Sequence, residues 1–191
     1  MRNIAAFVSA MVVAGMLALP GGAQESKPAP SAERAKQAMK ALASFRHVPL
    51  TVEKAKAALE IFLTLKKNYP PETFKVKTPG PMGAVEAMKA SEKAQEILKL
   101  VKEKGFADID EWARAFTSLG MALAHVRQGG DEEIQAKLRD LEQAPMPEPM
   151  KAKIRAMLQA LIPPQQNVTV AQALLKDADA KKMIEAVEAQ R

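Results

Sequence analysis

The chain has no cysteine, two histidines, one tryptophan, one tyrosine and only 4% aromatic residues in 191 positions. Without cysteine there is no disulfide scaffold, no thiolate zinc site, no Cys nucleophile and no lipidated N-terminal Cys. Two histidines leave little room for a His-based metal or catalytic cluster. No serine sits in a nucleophile elbow, and Gly80-Pro81-Met82-Gly83 places proline where a phosphate-cradling loop needs backbone amides. Nor does any stretch alternate apolar and polar residues for long; Phe74 to Thr78 comes nearest to a strand and is short. The acidic trios Asp108, Asp110, Glu111 and Asp131, Glu132, Glu133 stand at helix starts, where carboxylates cap free amides. Neither trio has the alternating oxygen ligands and central glycine of an EF-hand. The expectation is a protein that is not an enzyme, with no cofactor and no metal.

What is present is a globular composition, 48% hydrophobic and 26% charged. A chain of this length buries about two-thirds of its unfolded surface, enough for one domain without staples.

The first 23 residues have the form of a secretory signal peptide. Arg2 supplies the positive start, Ile4 to Leu19 is an uncharged apolar run of 16 residues, and Pro20 ends it. Gly21 and Ala23 place small residues before a cleavage point after Ala23. The run is shorter than the ~20 residues that span a bilayer. The expected mature protein is exported, periplasmic or secreted, and has no transmembrane segment once the signal is removed.

Residues 24–30 form a flexible leader, and residues 31–191 an all-helical domain with a Pro-rich linker at 70–82. The apolar spacing predicts helices over 31–45, from a Thr51 cap to Asn68, and from Gly83 to Lys104. The clearest begins at Asp108, whose partner Glu111 has capping-box spacing, followed by the stripe Trp112, Phe116, Leu119, Leu123 and Val126. Asp131 is expected to cap the next, with Ile134, Leu138 and Leu141 inward. Another starts near Pro149 and should bury Met150, Ile154, Met157, Leu158 and Leu161. The last should begin after Thr169. The predicted fold is an all-α, single-domain antiparallel bundle, or stacked helical hairpins, of about six to seven helices. His47 is expected in a solvated turn and His125 on a helix flank near a C-terminus.

Charge is unevenly spread. The whole chain carries a net charge of +6. Residues 24–104 have 16 Lys and Arg against nine Asp and Glu, whereas residues 105–191 have 11 against 13. Lys54, Lys56, Lys66, Lys67, Lys75 and Lys77 concentrate the excess, and are the candidate surface for an acidic or unfolded protein client or an anionic envelope component. Export and the lack of interleaved aromatics argue against nucleic acid. Phe45, Phe62, Trp112 and Phe116 are the candidate walls of a pocket for a small apolar or amphipathic ligand.

Leu50-Thr51-Val52-Glu53-Lys54 and Val168-Thr169-Val170-Ala171-Gln172 resemble the LTxxQ motif of the small, all-helical, cysteine-free periplasmic stress chaperones of the Spy and CpxP kind. The first has Lys where the motif has Gln, and the second has Val where it has Leu. The resemblance implies a chaperone-like or envelope-stress role. The residues alone lead to an exported helical protein with a non-catalytic binding role.

Overall fold

The computed structural model describes residues 45–70, 73, 74, 76 and 81–189. The signal segment, the leader, the helix expected at 31–45 up to residue 44, and Lys75 and Lys77 lie outside the described residues. Those described form eight helices and no strand. They are α1 (Val52–Asn68), α2 (Pro81–Lys89), α3 (Ala94–Glu103) and α4 (Ile109–Arg127). Then come α5 (Asp131–Gln143), α6 (Glu148–Ala160), α7 (Gln165–Lys176) and α8 (Ala178–Glu188). No helix among the described residues is long and apolar enough to cross a membrane.

Side-chain capping opens three of the eight described helices, α1, α4 and α8. The Thr51 hydroxyl accepts from the Lys54 N–H at 3.2 Å and opens α1. The Asp108 carboxylate accepts from the Glu111 N–H at 2.7 Å and opens α4. Glu111 does not return the bond to the Asp108 amide, as a standard capping box would. It accepts instead from Ala107, one residue earlier, at 2.7 Å.

Five expectations need correction. The helix expected over 83–104 is two, α2 and α3, because Ser91 breaks the ladder: its N–H and its hydroxyl both donate to the Met88 carbonyl. The final helix is likewise two, and it starts at Gln165 immediately after Pro164, not after Thr169. Asp177 makes that break, its N–H closing α7 on Ala173 and its carboxylate capping α8 at the Ala180 N–H. Asp131 is the first residue of α5 and not its cap; Gly130, at φ 67°, holds the cap position, and the Asp131 carboxylate lies against His125. Met150 is 53% exposed, since only Met157 and Leu158 of α6 are fully turned inward. His47 is half-buried, not solvated, as its hydrogen bond to α6 shows.

The main core gathers side chains from α1, α2, α3, α4, α7 and α8, with α4 in contact with α1, α2, α3 and α7. Abundant alanine lets these axes approach closely: Ala55 and Ala58 of α1, Ala115 and Ala122 of α4 and Ala171 of α7 are all completely buried. Among the described residues α5 and α6 pack chiefly on each other, around Ile134, Leu141 and Leu158. The chain enters that pair through Gly129 and Gly130, both at positive φ, and leaves it through Pro163 and Pro164.

Candidate functional site

Among the described residues, a polar constellation surrounds a segment without regular secondary structure, residues 45–50, that precedes α1. Backbone outside the helices has no ladder partner, so its buried amides and carbonyls need side chains. Three residues supply them. The Val48 N–H donates to Ser118 Oγ of α4 at 3.1 Å. Asn167 of α7 spans two residues: Oδ1 accepts from the Leu50 N–H at 3.0 Å, and Nδ2 donates to the Val48 carbonyl at 3.0 Å. Gln166 Nε2 donates to the Leu50 carbonyl at 2.7 Å. Ser118 and Asn167 are 0% exposed, and so is Leu50, whose side chain enters the main core.

His47 fastens the same segment to the end of α6. Its Nε2 lies 3.2 Å from the Ala160 carbonyl, a bond that requires the Nε2–H tautomer. Nδ1 is buried without a partner. Burial lowers the pKa of this imidazole, and the Ala160 bond offsets that in part. The Phe45 ring packs edge-on against it at 5.2 Å.

The basic residues expected to act together have separate fates. Lys54 binds Glu111 at 2.5 Å, and its ammonium also lies 5.3 Å from the centre of the Phe106 ring. Lys56 binds Asp177 at 2.7 Å. The Asp177 bond is the main cause raising the Lys56 pKa, while the Ala180 amide and Lys56 together hold the Asp177 carboxyl below its usual range. Lys66 buries its amine without a partner, and that burial lowers its pKa. Lys67 alone of the four described is exposed. Lys54 and Lys66 also stand roughly 18 Å apart along α1, at 1.5 Å per residue.

Three of the four candidate pocket walls do meet. Phe62 and Phe116 stack with centroids 4.8 Å apart, and Trp112 lies 6.1 Å from Phe116. All three are buried in the main core, where they fill one another's space. Phe45 instead sits with His47.

The two LTxxQ-like segments adjoin the clamp that Ser118, Gln166 and Asn167 close on Val48 and Leu50. Leu50 and Thr51 of the first end the segment that precedes α1 and cap that helix. The second lies inside α7, one residue past Asn167, and its Thr169 hydroxyl donates to the Gln165 carbonyl. Asn167 also begins an Asn-Val-Thr triplet, but a side chain this buried and doubly bonded is no acceptor for a glycan. No group of three or more His, Asp or Glu among the described residues could hold a metal. The chain matches no protein-family model, and no curated protein or solved structure is detectably similar to it.

Proposed function

We propose that this is an exported, non-catalytic binding protein for extended stretches of unfolded polypeptide, with a chaperone-like role in the periplasm or outside the cell. In this reading the signal segment is removed after Ala23, and the helices form a single-domain bundle. The observation that carries the proposal is the grip of Ser118, Gln166 and Asn167 on the backbone of Val48 and Leu50. A grip on main-chain groups tolerates many sequences, as a client binder requires, with pockets for alternate side chains adding selectivity. The resemblance to the LTxxQ chaperones points the same way.

Electrostatic attraction is the weaker support, because Lys54 and Lys56 are engaged within the chain. Client capture should therefore depend little on salt.

The test is aggregation of a reduced or heat-unfolded client, followed by light scattering with the mature protein at equimolar ratio. Suppression at both low and moderate salt is expected. No suppression in low salt would sink the proposal.

A further inference from the structure

Asn167 treats residues 48–50 as a strand partner would. In a parallel ladder one residue bonds the C=O of residue i and the N–H of residue i+2 on its neighbour. The Asn167 carboxamide makes that pair of bonds, to the Val48 carbonyl and the Leu50 amide. Ser118 and Gln166 take the remaining polar groups of the same two residues. Burial alternates as it does in a docked peptide: Leu50 is enclosed, Pro49 is exposed, and Val48 is partly buried against the core. Ser118 and Asn167 are wholly buried and Gln166 is exposed, so the groove that this segment fills against α4 and α7 has a polar floor.

We infer that residues 45–50 occupy this groove as a built-in competitor. Its external occupant is an extended segment of another polypeptide with an aliphatic residue in the Leu50 place and a second apolar residue two positions earlier. The inference rests on the client-binding reading above and adds to it the site and its regulation. Being tethered, the internal segment competes at an effective concentration in about the millimolar range. An external peptide sees only the fraction of grooves that the segment has vacated, so its apparent affinity is divided by that fraction. Weakening the internal segment must therefore strengthen external binding.

The experiment uses the full chain and a dye-labelled synthetic peptide copying Phe45-Arg46-His47-Val48-Pro49-Leu50. A control peptide carries an N-methyl group on the leucine amide, which keeps every side chain but removes the donor for Asn167. Fluorescence anisotropy should show the peptide binding Leu50→Ala about tenfold or more tightly than wild type. The N-methylated peptide should bind neither protein. Equal affinity for the two proteins, or undiminished binding of the N-methylated peptide, would overturn the inference.

Should Leu50→Ala fail to fold, hydrogen exchange on the wild-type chain decides. Saturating peptide should speed exchange of the Leu50 amide and leave that of Leu119 in α4 unchanged; an unaltered Leu50 rate overturns the inference. Client suppression by wild type without displacement of the segment removes this site and leaves the client-binding reading standing. Displacement without client suppression does the reverse.

Discussion

The Trp112 indole N–H donates to the Ala58 carbonyl at 3.1 Å, fastening α4 to α1 inside the apolar core. This is the chain's single tryptophan, and it is 1% exposed. Buried indoles commonly find such an acceptor, since an orphaned N–H costs free energy there.

Trp112→Phe removes that bond and leaves a gap beside Phe116. The expected loss of stability is about 1–3 kcal/mol, between a lost hydrogen bond and a large-to-small core change. Urea unfolding followed by far-ultraviolet circular dichroism measures it, because the fluorescent reporter is gone in the variant.

Asn167→Asp keeps an acceptor for the Leu50 amide but loses the donor for the Val48 carbonyl, and places a carboxylate where no solvent reaches. The expected cost at pH 7 is about 2–5 kcal/mol. Burial raises the folded-state pKa of the new carboxyl, so stability is recovered below its unfolded pKa, where the protonated group can donate again. Measured against wild type, the deficit should therefore shrink between pH 7 and pH 4. A deficit independent of pH would contradict the geometry of the clamp.

His47 gives a dependence of opposite sense. Its folded pKa lies below the ordinary imidazole value of 6.5, because burial disfavours the imidazolium. The unfolded chain then binds more protons near pH 6, so stability rises with pH in that range. The contribution is complete above about pH 6.5 and is lost as pH falls through the lowered folded value. His47→Gln should flatten the wild-type difference in denaturation midpoint between pH 7.5 and pH 5.5, a window well above that of Asp177 and Glu111.

Glu111 and Lys54 form one ion pair but should not be equivalent. Lys54→Ala removes a partly exposed pair worth less than about 1 kcal/mol. Glu111→Ala removes that pair and the bond to the Ala107 amide as well, at an expected cost of about 1–2 kcal/mol. The Ala107 bond is also the leading cause of the lowered Glu111 pKa. A double-mutant cycle by urea denaturation would separate the two; equal losses would show that the amide bond contributes nothing.

Local features were the legible ones. Thr51, Asp108 and the stripe from Trp112 to Leu123 lie within a few residues of what they act on, so spacing alone exposes them. The breaks at Ser91 and Asp177 are also local, but their mechanism is a side chain competing with the helix ladder. In a chain rich in alanine and leucine, periodicity runs straight over such a residue. The clamp was beyond reach because its partners are remote: Ser118 is 70 residues from Val48, and Asn167 is 117 from Leu50. A signal did exist in the polar Gln166-Asn167 opening the Val-, Ala- and Leu-rich stretch Val168 to Leu175, and in Ser118 within the Trp112 stripe. Lysines clustered along the sequence misled in the other direction, since α1 turns Lys54 and Lys56 toward acidic partners on α4 and at Asp177.

The separate packing of α5 on α6 bears on what a melting curve of this protein can mean. Two units, each with its own apolar contacts and joined by a glycine pair, need not come apart together. Heating should release the smaller first, so calorimetric and van't Hoff enthalpies should disagree. Trp112 fluorescence, rooted in the larger unit, should report only the later event. The temperature read from that signal belongs to α4 and its neighbours, while α5 and α6 have already exchanged their amides with solvent.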